Sequence, residues 1–119
     1  MLLALDAADA SNGCLEFAKA AHRQGVIAVN ADGCLPMEQA SQLTWTSMPV
    51  AAGDAVFFNS YAPHRSGTNR SDRSRRALYV TYNASSEGDL RSEYYDLKKE
   101  ALAQGRVSLI NHFLGEDVS

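Results

Sequence analysis

The feature that most constrains this chain is a series of short apolar or alternating runs, each closed by turn-forming residues. They are LLAL (2–5), CLEFA (14–18), LTWTSMPV (43–50), AVFFNS (55–60) and ALYVTYN (77–83). Successive side chains of a strand point to opposite faces, so a period of two over roughly four to eight residues predicts half-buried strands. The β-branched and aromatic residues of 43–50 and 55–60 strengthen that reading. Between the runs, DAADASNG and Ala52-Gly53-Asp54 carry the Asp, Ser, Asn and Gly of turns.

Two stretches depart from this pattern. Residues 19–42 loosen: GVIAV (25–29) is compatible with one more short strand, NADGCLP carries turn signals, and PMEQASQ lacks the periodicity of a long helix. A loop over one end of the fold is expected there. Residues 85–105, SSEGDLRSEYYDLKKEALAQG, change to helical spacing, with Tyr94, Leu97, Ala101 and Leu102 on one face and Gly105 placed to stop the helix. The tail VSLINHFLG (107–115), which holds His112, is expected to pack onto the sheet. The sum is a mainly β (α+β) chain, an antiparallel sandwich or jelly roll carrying a C-terminal helix. It reads as one domain over residues 1–119, with strands and loops in about 1–83 and helix and tail in about 84–119.

Composition narrows the function. A chain of 119 residues is sized for a single core and buries roughly two-thirds of the surface its unfolded form exposes. No apolar run approaches the roughly 18 residues of a membrane helix, so no membrane partner is expected. The start MLLALDAADA reaches Asp6 without a basic leader, which makes the cytoplasm the expected compartment. A formal charge of −3 argues against nucleic acid as a partner, because phosphate binding rests on positive surface. Yet Arg65, Arg70, Arg73, Arg75 and Arg76, five of the eight arginines, fall within twelve positions, a density suited to a small anionic or polar molecule. Cys14 and Cys34 match neither a CxxC metal pattern nor a disulfide-dense scaffold, and buried or reduced thiols are expected.

Among the three histidines, His64 has the most suggestive surroundings. Ser66 lies two residues on and Arg75 eleven on, so an imidazole able to bind Fe(II) and a guanidinium able to clamp a carboxylate could face one cavity from adjacent strands. From spacing alone, a loop histidine hydrogen-bonded to backbone beside solvated arginines is the simpler reading.

Resemblance reverses that order. VAAGDAVFFNSYAPHRSGTNRSDRSRRALYVTYN and, less closely, LLALDAADASNGCLEFAKAAHRQG are similar to the C-terminal half of the phytanoyl-CoA dioxygenase family of non-haem Fe(II), 2-oxoglutarate-dependent oxygenases. In the second segment Lys19-Ala20-Ala21-His22 stands where the family has Pro-Gly-Ser-His. The resemblance implies a double-stranded β-helix, or cupin-like jelly roll, with Fe(II) and 2-oxoglutarate as cofactors. It makes His64 the distal histidine of the iron triad, and it makes Arg75 and Ser66 the partners of the far carboxylate of 2-oxoglutarate. If strand alternation continues back from Ala77, Arg75 and Arg76 point to opposite faces.

One part of the family pattern is missing. The first histidine and the acid of the triad come as His-x-Asp or His-x-Glu, whereas His22, His64 and His112 are followed at the second position by Gln24, Ser66 and Leu114. Asp6, Glu16 and His22 are the nearest substitutes. The expectation is a truncated dioxygenase, a partial barrel with weak or no catalysis alone, whose unpaired strand edge favours self-association. The alternative is a non-catalytic, self-assembling module that binds a small anion or dicarboxylate. Tyr94, Tyr95, Lys98 and Lys99 are read as a solvated helix face with two core tyrosines, and Trp45 as packing. EGDLRSEYYDLKKEAL is loosely similar to family members acting on small polar molecules such as organophosphonates.

Overall fold

The computed structural model describes residues 1–30 and 34–104. Gly105, the tail 107–115 and His112 lie outside the described residues. The chain divides into two compact units, Met1–Ala28 with Met37–Thr81, and Val29–Pro36 with Tyr82–Ser119.

The first unit is built on six short strands: β1 (Leu2–Ala4), β2 (Leu15–Ala18), β3 (Trp45–Met48), β4 (Ala55–Val56), β5 (His64–Ser66) and β6 (Ala77–Tyr79). They form two antiparallel three-stranded sheets, ordered β4-β1-β6 and β3-β2-β5. Leu2 and Ala4 of one sheet and Leu15 of the other meet in a single buried cluster, against which Phe17, Val50, Val56, Phe58 and Ala77 pack. This mainly β architecture follows the alternation in the sequence. Leu2 and Ala4 bury the same face of β1, while Leu15 and Phe17 do so on β2.

The core is small for so apolar a chain. Seven apolar residues are buried among those described, and four of them are alanines, whereas Phe57, Leu78 and Tyr79 are each at least half exposed. Such a core offers limited transfer energy, since a fully buried Leu contributes only about 1.5–3 kcal/mol.

Two local expectations are corrected. Residues 25–29 form no strand: Val26 and Val29 are exposed, with nothing to pair their backbone into a ladder. PMEQASQ holds a short helix, α1 (Met37–Ser41), too brief to show periodicity in the sequence. The turn before β4 is fixed by hydrogen bonds from Gly53 N to Ala4 O (2.8 Å) and from Ala51 N to the Asp54 carboxylate (2.8 Å).

In the second unit a single 3₁₀ turn, Ser85–Glu87, precedes helix α2 (Arg91–Ala103). Tyr94 and Tyr95 are not buried there. They stay nearly half exposed and meet edge to face at 5.3 Å, while Lys99 pairs with Asp96 at 3.3 Å. No described helix is long and apolar enough to cross a membrane.

Candidate functional site

β5 emerges from the loop after residue 60 and pairs with β2 in a register that sets Phe17 opposite His64 and Leu15 opposite Ser66. Residues directly opposite in an antiparallel pair share a face. His64 and Ser66 therefore stand on the side of the sheet to which Leu15 and Phe17 contribute the core. Arg65, between them, points the other way, donating from Nε to Glu16 at 2.6 Å and lying 4.3 Å over the Trp45 ring.

The His64 imidazole is held by packing and by one hydrogen bond. Phe58 and Phe17 lie 5.0 and 5.9 Å from it, centroid to centroid, and Nδ1 is 3.0 Å from the Ala62 carbonyl. A carbonyl only accepts, so Nδ1 carries the proton and the Nε2 lone pair is left as a ligand. The backbone-bonded histidine of the simpler reading is thus real, and the same bond fixes the tautomer that leaves Nε2 open as an acceptor. Ser66 is exposed, and its hydroxyl has no side-chain or backbone partner among the described residues.

Arg75 precedes β6, where Leu2 faces Tyr79 and Ala4 faces Ala77 on the core side of β1. It is half-buried, and its guanidinium acts on Tyr79, whose phenol is pushed up by the partial desolvation of a ring still more than half exposed, an effect partly offset by that positive charge. Arg75 Nη1 donates to the Gly13 carbonyl. Arg76 turns to the opposite side and grips Asp6 with Nε at 2.8 Å and Nη2 at 2.9 Å.

The other arginines of the loop have different roles. Arg73 bonds Asp9 (2.9 Å) and the Ser11 hydroxyl (2.8 Å). The Ser11 hydroxyl and then Arg73 hold the Asp9 carboxyl well below its usual range, and Arg76 holds that of Asp6 at about 2. Arg70 has no ion pair among the described residues, but it lines an open depression of about 280 Å³ with Glu16 and Ser47, on the face of β2 away from His64. Arg75 is therefore the one arginine of this cluster that is not exposed.

Asp6 and Glu16 are engaged by Arg76 and Arg65, and His22 sits exposed on the 3₁₀ turn Ala21–Gln24. None of them joins His64: no group of three His, Cys, Asp or Glu side chains gathers among the described residues. Reading the sequence did not pick out Phe17 and Phe58 as walls of the imidazole or Gly13 as the partner of Arg75. The parity of Phe17 with Leu15 and the Asn12-Gly13 dipeptide were the available signals.

The family model described as phytanoyl-CoA dioxygenase (PhyH) matches residues 1–77. The chain belongs to the phytanoyl-CoA dioxygenase family. Within it, the chain is 44% identical over 122 residues to a methylphosphonate hydroxylase of Gimesia maris, covering 96% of this chain and 47% of that protein. It is 41% identical over 100 residues to a 2-aminoethylphosphonate dioxygenase of the uncultured bacterium HF130_AEPn_1, covering 84% and 38%. The protein named dioxygenase lolE1 of Epichloe uncinata is 32% identical over 96 residues, covering 80% and 37%. This phytanoyl-CoA dioxygenase family chain thus spans less than half the length of these curated relatives. No solved structure matches it.

Proposed function

We propose that this chain forms the C-terminal part of a jelly-roll Fe(II)- and 2-oxoglutarate-dependent hydroxylase, with His64 as an iron ligand and Arg75 and Ser66 holding the far carboxylate of 2-oxoglutarate. The observation that carries this reading is that His64 and Ser66 share one side of β5, while Arg75 is the one arginine of the five that is not exposed. His64 and Ser66 lie on the core side of β5, and Arg75 precedes the core-side residues Ala77 and Tyr79 of β6.

The cofactors fit unequally. Arg75 gives one of its five N–H groups to Gly13, which leaves the Nε and Nη2 edge for a bidentate carboxylate, and Ser66 offers a hydroxyl. Iron does not fit the described residues alone, because His64 is one ligand where the family uses three. Bound iron and 2-oxoglutarate would supply the oxidative chemistry; the chain's own residues orient one imidazole and bind the keto acid. On this reading the remaining ligands and strands belong to a complementing part of the barrel, in the same or a second polypeptide, and the 119-residue chain alone turns over weakly or not at all. The names of two relatives point to a small organophosphonate as the substrate class, which suits an arginine-rich surface.

Titration calorimetry with 2-oxoglutarate tests the keto-acid site. Loss of a charge-assisted bidentate pair is expected to weaken binding about 10- to 100-fold in Arg75→Ala. Equal affinity in the variant sinks the assignment.

A second reading, a self-assembling module that binds a small anion without catalysis, is favoured by one observation. β6 is the edge of its sheet, yet Leu78 and Tyr79 are at least half exposed. A second copy covering that edge would sediment as a dimer, and a monomer at high micromolar concentration would exclude it.

A further inference from the structure

Asn12 is the one polar side chain fully buried among the described residues, and both ends of its amide are bonded to backbone. Its Oδ1 accepts from the Asp9 amide at 2.7 Å, and its Nδ2 donates to the Ala7 carbonyl at 2.9 Å. Neither bond reaches a strand. Both instead fix the path of residues 7–13, the turn that connects the isolated Ala8–Val50 bridge to β2.

That turn ends on Gly13, whose position is determined on three sides. Its φ of +78° is in the left-handed region, and a Cβ there would run into the Gly67 carbonyl oxygen. Its own carbonyl receives Arg75 Nη1. On the outside, Asp9 accepts from Ser11 and from Arg73, which ties the turn to the arginine loop two residues ahead of Arg75. Gly67 directly follows Ser66. Gly13 therefore touches the residue beside one proposed keto-acid contact and hydrogen-bonds the other.

We infer that Asn12 is a positioning residue for Arg75: by fixing the turn, it aims the Gly13 carbonyl so that the guanidinium presents its Nε/Nη2 edge beside Ser66. This rests on the reading of Arg75 as the 2-oxoglutarate clamp. A guanidinium rotated about its stem still carries its charge but loses the paired geometry that a carboxylate needs. Fixing the rotation before binding removes an ordering cost from the binding step.

The test is calorimetric titration of 2-oxoglutarate into the 119-residue chain and into Asn12→Ala, Arg75→Lys and the double variant. Asn12→Ala is expected to weaken binding about tenfold, the range in which lost outer-shell partners act. Lysine has no fork to aim, so in the Arg75→Lys background Asn12→Ala should have no further effect on affinity while still lowering the melting temperature. An equal loss in both backgrounds would mark Asn12 as merely structural and overturn the inference. If Asn12→Ala does not fold, Asn12→Asp keeps the shape and the acceptor for Asp9 but loses the donor to Ala7, and unchanged affinity in it overturns the inference equally. No binding by the native chain, or binding indifferent to Arg75→Ala, removes the reading of the site and this inference with it. Binding lost in Arg75→Ala but unchanged in Asn12→Ala removes the inference alone.

Discussion

Phe17 stands directly across the β2–β5 ladder from His64, and the face of its ring is closed by Phe58 at 5.1 Å in an edge-on arrangement. Both phenyl rings touch the imidazole, and both pack on the small core formed by Leu2, Ala4 and Leu15. They therefore join stability to the geometry of the site. Partial burial reduces the cost of truncation below that of a fully buried Phe, so Phe17→Ala is expected to lower the unfolding free energy by about 2–3 kcal/mol. Phe17→Leu should cost less than about 1.5 kcal/mol. Urea denaturation of the three proteins checks the order, and a Phe17→Ala midpoint equal to the native one would show that the cluster contributes nothing.

Asp6 and Arg76 give a pH dependence with a definite sign. The Asp6 carboxyl falls from its ordinary 3.8 to about 2, chiefly through side-chain bonds from Arg76. A depressed folded-state value means that the unfolded chain takes up the proton first. The pair's contribution is fully present above about pH 4 and is lost as pH falls toward 2. Asp9, also held low, acts in the same direction, its loss beginning at the same unfolded value and extending to lower pH. Urea midpoints measured from pH 7 to pH 2 should be flat with respect to Asp6 at the upper end and decline at the lower. Asp6→Asn should flatten that decline, and 1 M salt should shrink it because the Arg76 end is exposed.

Five strands were legible in the sequence because each is a short apolar or alternating run closed by turn residues, and on β1 Leu2 and Ala4 bury one face. Their lengths were not. AVFFNS narrows to Ala55–Val56 and ALYVTYN to Ala77–Tyr79, since ladder pairing ends where a partner strand ends, and local pattern carries no record of the partner. β5 was hidden for the same reason: HRS has no apolar residue to alternate, and it becomes a strand only through pairing with Leu15, Glu16 and Phe17. His64, Ser66 and Arg75 were picked out by family spacing, and it was the offset from the histidine that put Arg75 ahead of Arg76. What the spacing could not convey was that Gly13, sixty-two positions away, receives Arg75. That contact depends on the close approach of two turns, which no local periodicity encodes.

Trp45, the only tryptophan, gives a spectroscopic handle on the outer face of the β3-β2-β5 sheet. Its indole N–H donates to the Ala40 carbonyl at 2.9 Å, which ties the end of α1 to β3, and Arg65 lies over its ring. Trp45→Phe removes the hydrogen bond and is expected to cost about 1 kcal/mol beyond the change in packing. Arg65→Ala removes an exposed cation–π contact together with a surface ion pair, and should cost no more than about 1 kcal/mol while altering tryptophan emission. A loss well above that in Arg65→Ala would show that the Glu16–Arg65–Trp45 row is a cooperative network.

Gly13 and Gly53 share a left-handed backbone but differ in surroundings, which allows two costs to be separated. At Gly53 φ is +93° and a Cβ would meet open space, so Gly53→Ala should cost only the left-handed penalty, about 1–2 kcal/mol. At Gly13 the same penalty applies, and the Cβ also meets the Gly67 backbone, which cannot move aside as a flexible side chain could. Overpacking adds roughly 1–3 kcal/mol, which brings Gly13→Ala to about 2–5 kcal/mol. Comparing the urea midpoints of the two variants isolates the steric part, and equal midpoints would mean that the two turns are not in close contact. Because Gly13 itself receives Arg75 through its carbonyl, Gly13→Ala should in addition weaken 2-oxoglutarate binding, whereas Gly53→Ala, at the turn before β4, should leave it unchanged.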